Sequence, residues 1–161
     1  MRENMNYSTR RLKQVFQTMR LHPHLAEQHG RNYKHKANQA AIANIVYANR
    51  LGNRGIGSHD GWRYRGAGVL QSTGRYNIRR DAQTVKSITS IELFDDDGEV
   101  IGMLLNTYTI GILLGMANWY RTELWKYNFE RTIDIINYYT DSRAKRRKLY
   151  KKALKIVKEN S

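Results

Sequence analysis

The sequence contains no cysteine, a single proline and few acidic residues. Without cysteine, disulfide bonds and thiolate metal sites are excluded, which is typical of a cytosolic product. The chain has 14 Asp and Glu against 28 Lys and Arg, so its formal net charge is +14 at pH 7. A surface of this charge attracts polyanions, and we expect an anionic macromolecule as partner, either nucleic acid, an anionic wall polymer or an acidic protein.

Long hydrophobic segments are also missing. Residues 1–11 are polar and lack the apolar segment of a signal peptide. The longest apolar run, residues 101–117, contains Asn106, Thr107 and Thr109 and is at the short end for a transmembrane helix. A buried central helix explains it better, so we expect no membrane span.

The length of 161 residues predicts one globular domain over residues 1–161.

Positive charge is concentrated at both ends of the chain. The formal net charge is +12 over residues 1–91, −5 over 92–140 and +7 over 141–161. The last segment has the pattern of a helix over residues 142–158, with Leu149, Ala153, Ile156 and Val157 facing the core. We predict that its basic face binds a polyanion through Lys145, Arg146, Lys148, Lys152 and Lys155. A purely solvated helix face is the alternative.

Periodic apolar residues predict further helices. Ser8 is a plausible N-cap for a helix that buries Leu12, Val15, Phe16 and Met19, and Pro23 separates it from the next stretch. We also predict helices over residues 36–51 and 130–138. Residues 88–105 fit either a hairpin around Asp95–Gly98 or a loop followed by a long helix over 99–120, and we favour the helix.

The most informative segment is rich in glycine and runs from Asn44 to Asn77, NIVYANRLGNRGIGSHDGWRYRGAGVLQSTGRYN. So much glycine in a chain that otherwise favours helix indicates irregular backbone with close approaches. Near its end, Gln71, Thr73 and Asn77 offer amide and hydroxyl groups of the kind that suit neutral, hydroxyl-rich ligands such as sugars.

This segment resembles the cleft segment of phage endolysins and chitinases of glycoside hydrolase family 19, which reads YANRxGN…GDGWxYRGRGxIQxTGxxNY. The opening RENMNYS resembles the family segment ENxNYS, and Asn137 with residues 146–150 resembles ING-x-NG-x-x-DRR-x-x-Y. The resemblance covers residues 2–157. It implies a mostly α, lysozyme-like helical domain with a Gly-rich cleft loop, to which the residues themselves add a short hairpin near 64–71.

The resemblance also implies roles for individual residues. The Glu of ENxNYS is the general base of an inverting mechanism, so Glu3 would activate water and Thr73 would position it. The implied sugar contacts are Gln71, Asn77, Asn137, Tyr64 and Arg147. Asp60 matches the aspartate of DGW, which we interpret as structural. We expect no cofactor and no metal, since the spacing of the histidines at 22, 24, 29 and 35 is not diagnostic, and the acidic run 95–97 before Gly98 fits a turn better than a calcium loop.

The sequence departs from the family at several positions. The family's general acid lies in an HESGG-type helix upstream of ENxNYS, whose counterpart here would precede Met1. The second Arg of YRGRG is Ala67, the glycines after Asn137 are tyrosines, and the aspartate before the arginines is Lys145. Because tyrosine cannot replace glycine where φ is positive, these changes predict a remodelled cleft.

Three functions therefore stay open, and the sequence leaves undecided whether the protein is an enzyme. We favour an endolysin-derived protein with lost or impaired hydrolase activity, repurposed as a phage-type inhibitor or virion component that binds glycan, a polyanion or a host protein. The first alternative is an active inverting peptidoglycan hydrolase. The second is one half of a split endolysin, with a partner chain or a second copy covering the face left by the missing helices. We expect a phage-encoded protein in the bacterial host cytoplasm, for which any access to the cell wall would need a holin-like helper.

Overall fold

The computed structural model describes residues 2–137 and 143–159, and this part of the chain is mostly helical, as the sequence predicted. The chain divides into two compact units, one ending at Thr122 and the other beginning at Glu123. The expectation of a single domain over residues 1–161 stays a prediction. The α-helices are α1 (Thr9–Val15), α2 (Gln17–Leu21), α3 (Pro23–His29), α4 (Gln39–Val46), α5 (Asp60–Arg63), α6 (Arg75–Thr89), α7 (Tyr108–Arg121), α8 (Phe129–Asn137) and α9 (Arg143–Glu159).

Helices α1 to α4 surround the first of two apolar clusters in the first unit. Leu12 and Met19 have no exposed surface there. The single helix predicted for them is wrong, because Phe16 is extended, with φ −110° and ψ 121°, and separates α1 from α2. Val15, which was expected to be buried, is 41% exposed.

The Ser8 side chain accepts a hydrogen bond from the backbone N–H of Arg11 at 3.2 Å, which confirms it as the N-cap of α1. Pro23 is the first residue of α3, a position where the missing proline N–H costs no helical hydrogen bond.

The helix predicted over residues 36–51 is shorter in the structure. It begins after Asn38, whose side chain accepts a hydrogen bond from the backbone N–H of Ala41 at 3.1 Å. It ends before Asn49 and Leu51, which have φ values of 55° and 53°. A right-handed helix cannot continue through such left-handed residues, so the irregular Gly-rich segment starts here.

The structure gives a packing reason for Gly61, one of the glycines of the Gly-rich segment. A Cβ atom at this position would lie 2.3 Å from the carbonyl oxygen of Ala43 and 2.6 Å from the Cα of Asn44. The next residue, Trp62, donates its backbone N–H to the Asn44 side chain at 2.7 Å. Only glycine permits this close approach of α5 to the backbone of α4.

The second apolar cluster lies mainly between α6 and α7 and includes Ile78 and Leu114. The predicted helix over 99–120 is wrong in its first half, because α7 begins only at Tyr108. Asp95 instead accepts the backbone N–H of Gly98 at 2.9 Å, and Phe94 pairs with Val100 in an antiparallel bridge. Gly98 has a φ of 69°, which suits a turn rather than a helix, so the hairpin alternative describes this segment better.

In the second unit, α9 contacts α8 through a side that the sequence did not predict. Tyr150 stacks on Phe129 with ring centroids 4.2 Å apart, and Arg147 binds Glu130 at 2.6 Å. The expectation that Leu149, Ala153 and Ile156 face the core is wrong, since all three are exposed, while the side chain of Val157 lies outside the described residues. The ion pair and the ring stack instead place the face with Arg147 and Tyr150 against α8.

Across residues 2–137 and 143–159, no helix is both long enough and apolar enough to cross a bilayer. Over the same residues, no three His, Asp or Glu side chains converge in a way that could hold a metal ion.

Candidate functional site

The segment that carries Glu3 pairs with the Gly-rich segment, more than 60 residues away in sequence. The backbone N–H of Glu3 donates to the carbonyl of Gly66 at 2.8 Å. Arg2 and Ala67 form an antiparallel bridge, and Ala67 forms a second one with Ser72. These single-residue bridges are what the structure has in place of the predicted hairpin over 64–71, and they fix Glu3 against the loop.

The Glu3 carboxylate is held by two donors. The Tyr47 hydroxyl donates to its two oxygens at 2.8 and 3.0 Å, and the backbone N–H of Gly66 donates to Oε2 at 3.1 Å. Burial and the Glu3 charge raise the pKa of the Tyr47 phenol, so Tyr47 keeps its proton and acts as a donor at neutral pH. The carboxylate is half-buried and has a defined orientation.

Gln71 lies next to Glu3 because Gly66 has no side chain. A Cβ atom on Gly66 would lie 2.7 Å from Gln71 Oε1 and 3.4 Å from Glu3 Oε2. Gln71 has a φ of 55° and is exposed, and its amide nitrogen donates to the Gly68 carbonyl at 2.9 Å. The structure thus brings together two of the predicted site residues, and both offer acceptor oxygens to a ligand.

Thr73 and Asn77 follow Gln71 along the chain, and each is held by a backbone carbonyl. The Thr73 hydroxyl donates to the Gln71 carbonyl at 2.9 Å, and the Asn77 amide donates to the Thr73 carbonyl at 2.9 Å. Both are partly exposed. Among the described residues no hydrogen bond joins Thr73 to the Glu3 carboxylate, so its water-positioning role stays a prediction.

Tyr64 has a different place from the one its motif implied. It has no exposed surface, and its hydroxyl donates to Glu99 Oε2. Glu99 also accepts a hydrogen bond from Arg75 at 2.6 Å, and the Arg54 guanidinium lies 3.7 Å away. Tyr64 therefore supports the loop from the core, with no surface that a sugar could contact in this conformation. Sequence reasoning missed Glu99, which lies in the weakest part of the family resemblance.

Asp60 has the structural role that the sequence predicted. It is 1% exposed and accepts the backbone N–H of Arg54 at 2.9 Å and the Arg54 guanidinium at 2.9 and 2.8 Å. Burial alone would raise the pKa of the Asp60 carboxyl, but the Arg54 bonds lower it overall. This bidentate pair closes the loop between residues 54 and 60.

In a glycoside hydrolase, the carboxyl that acts as general acid has to carry a proton near neutral pH. The Glu99 carboxyl does not meet this need, because hydrogen bonds from Arg75 and Tyr64 outweigh its burial and lower its pKa. The Asp60 carboxyl is held ionised by Arg54. Asp81 has no exposed surface and is paired with an arginine. These three buried or nearly buried carboxylates are structural ion-pair partners.

The remaining predicted residues lie in the second unit. Arg147 forms a bidentate pair with Glu130, at 2.6 and 2.8 Å, and the Asn137 side chain lies outside the described residues. The predicted polyanion-binding residues all lie on α9, and four are exposed while Arg146 is partly buried: Lys145, Arg146, Lys148, Lys152 and Lys155. Their binding role stays a prediction.

Comparison with known proteins gives one informative relative. A protein of Haemophilus influenzae (strain Rd), described as a glycosyl hydrolase family 19 domain-containing protein, is 43% identical over 76 residues. The resemblance to family 19 is confirmed. The match covers 47% of this chain and 35% of the relative, so the chain spans about a third of the length of the family 19 protein. No family model matches the chain.

Proposed function

We propose that the cleft around Glu3 binds an aminosugar glycan of the peptidoglycan type, and that hydrolysis by this chain is lost or impaired. One observation carries the proposal. The Glu3 carboxylate is fixed by Tyr47 and Gly66 beside Gln71, whereas Asp60, Asp81 and Glu99 are engaged by arginines.

The surface around Glu3 and Gln71 is suited to the uncharged, hydroxyl-rich part of such a glycan. Glu3 Oε2 and Gln71 Oε1 are acceptors near the same point above Gly66. Sugar hydroxyls and the N–H of an N-acetyl group are donors that would complement them. Thr73 and Asn77 continue this polar surface along the start of α6, so several successive hydrogen bonds could orient one sugar chain.

The same geometry argues against efficient hydrolysis. Cleavage of a glycosidic bond normally needs one carboxyl as acid and another as base or nucleophile. A single carboxylate lacks one form of proton-transfer assistance, which is worth about 10²–10⁴-fold in rate. We therefore expect the protein to bind the glycan but to cleave it little.

An active inverting hydrolase is the second candidate, and the fixed orientation of Glu3 favours it. A general base has to be held in a defined position, and Tyr47 together with the Gly66 N–H supplies that support. An acid contributed by a partner chain would complete such a site, as in the split-endolysin alternative.

The test compares binding and cleavage on the same substrate. Purified protein is incubated with dye-labelled insoluble peptidoglycan, and both the protein retained on the pellet and the dye released are measured. Glu3→Gln is the site variant. Glu27→Gln is the matched control, because Glu27 carries the same charge on an exposed surface, paired with Lys13 at 2.7 Å.

We expect retention of the parent protein on the pellet with little dye release, and weaker retention for Glu3→Gln than for Glu27→Gln. Dye release that Glu3→Gln abolishes and Glu27→Gln preserves would establish the hydrolase instead. Well-folded protein that does not sediment with peptidoglycan would contradict the proposal.

A further inference from the structure

A cavity of about 280 Å³ in the first unit lies beside the segment that carries Glu3. We call it the arginine pocket. None of its described lining residues is Asp or Glu, and the lining includes Arg2, Trp62, Arg63, Arg65, Met103 and Asn106. Three arginine residues therefore line one small cavity whose described wall contains no carboxylate.

Backbone carbonyls hold two of these arginines in place. Arg2 donates to the Trp62 carbonyl at 3.3 Å, and Arg65 donates to the same oxygen at 2.7 Å. Because both nitrogens bind the same oxygen, the Arg2 and Arg65 side chains lie close together. Arg65 also lies over the Trp62 ring, 3.4 Å from its centroid, and donates to the Glu3 carbonyl at 3.2 Å. The pocket and the Glu3 segment are thus directly connected.

The Arg2 guanidinium has donors to spare. Its Nε and Nη1 atoms are buried and have no hydrogen-bond partner among the described residues. Burial and the nearby Arg65 charge lower the pKa of Arg2 to about 10, so it is still protonated at neutral pH. Buried donors without acceptors are costly, and an anion in the pocket would offset the repulsion between the Arg2 and Arg65 charges.

We propose that the arginine pocket binds a carboxylate carried by the glycan, so that the domain prefers an acidic, peptidoglycan-type strand to a neutral chitin-type strand. The planar guanidinium fork matches the geometry of a carboxylate. Arg63 is exposed, and Met103, which is 80% exposed, adds apolar surface for the rest of the ligand. This inference rests on the proposed function, because it assumes that a glycan occupies the Glu3 cleft next door.

The experiment uses the full chain and three soluble tetrasaccharides of equal length. The first is a peptide-free peptidoglycan strand, which carries carboxylates on its lactyl groups. The second is the same strand with these groups converted to amides, and the third is a chitin tetrasaccharide. Binding is measured by calorimetry and by intrinsic fluorescence, to which Trp62 in the pocket contributes.

Arg63→Gln is the test variant, since an exposed arginine can be replaced with little risk to folding. Arg20→Gln is the matched control, because Arg20 is an exposed arginine on α2, outside the pocket lining. One lost charge-assisted hydrogen bond corresponds to about tenfold in affinity. We expect the acidic strand to bind at least about tenfold more tightly than the other two, and Arg63→Gln, unlike Arg20→Gln, to remove most of this difference.

Equal binding of all three tetrasaccharides would overturn the carboxylate assignment and leave the proposed function standing. Equal effects of Arg63→Gln and Arg20→Gln on the acidic strand would overturn it in the same way. Arg63-dependent binding of a single-stranded oligonucleotide that exceeds binding of the acidic strand would assign the pocket to another ligand. If no tetrasaccharide binds, the proposed function itself fails, and the assignment of a glycan carboxylate fails with it.

Discussion

Asp81 offers the sharpest test of what holds the first unit together. It lies in α6 with no exposed surface. Its carboxylate accepts hydrogen bonds from Arg121 Nε at 3.0 Å, from the Ser72 hydroxyl at 2.6 Å and from the Asn118 amide at 3.2 Å. One buried charge thus joins α6, α7 and Ser72, the residue that pairs with Ala67. We predict that Asp81→Asn strongly destabilises the protein.

The magnitude follows from what the substitution leaves behind. Removing one partner of a buried ion pair costs about 3–5 kcal/mol, because the other charge stays buried without compensation. The Arg121 side chain is 16% exposed and can recover some hydration, and asparagine retains an acceptor for Ser72. The lower end of that range is therefore appropriate, a loss of about 3 kcal/mol in the free energy of unfolding.

Urea unfolding followed by the helical circular dichroism signal measures this loss. The control is Glu27→Gln, which removes an exposed ion pair with Lys13 and should cost less than about 1 kcal/mol. A double variant with Arg121→Met should recover part of the loss, since the uncompensated charge is then absent. If Asp81→Asn costs no more than Glu27→Gln, the carboxylate does not join these elements and the reasoning fails.

Two further predictions concern packing and pH. Gly61→Ala should cost at least about 2 kcal/mol in urea unfolding, because a Cβ there meets backbone atoms of α4, whereas Gly57→Ala, with no atom within 4 Å, should be nearly neutral. Burial would raise the pKa of Glu99, but the hydrogen bond from Arg75 lowers it overall. Its stabilising contribution is thus complete above its unfolded pKa of about 4.3 and is lost at lower pH. The urea midpoint should fall as pH drops from about 5 to about 3, and Glu99→Gln should flatten that fall.

Local signals in the sequence were sufficient for much of the fold. The Ser8 side chain satisfies the N–H of Arg11, three residues away, and Pro23 occupies the first position of α3, where proline is favoured. Such features require no knowledge of the rest of the chain. The resemblance to family 19 also placed Glu3 and Gln71 in one cleft, and the structure brings both of them to Gly66.

Contacts between distant segments were not predictable in the same way. The partner of Asp81 is 40 residues away, and no pattern around either residue indicates the pairing. Tyr47 is 44 residues from Glu3, although it belongs to the YANRxGN motif, which could have indicated a role in the cleft. Tyr64 belongs to a motif too, but a motif does not distinguish a residue that touches the ligand from one that supports the loop.

The positions of the basic residues divide the net charge of +14 into charges that are paired within the fold and charges that are free to attract a ligand. Arg54, Arg75 and Arg79 surround Glu99, and Arg54 also pairs with Asp60, so two carboxylates compensate most of these three charges and the pairs stabilise the fold. The arginine pocket has no such compensation in its described lining. A diffuse positive surface would attract every anion alike and lose its effect with added salt. A pocket in which backbone carbonyls hold the guanidinium groups of Arg2 and Arg65 would distinguish a carboxylated sugar from an amidated one of equal length even at physiological salt, and that difference separates a built site from simple charge attraction.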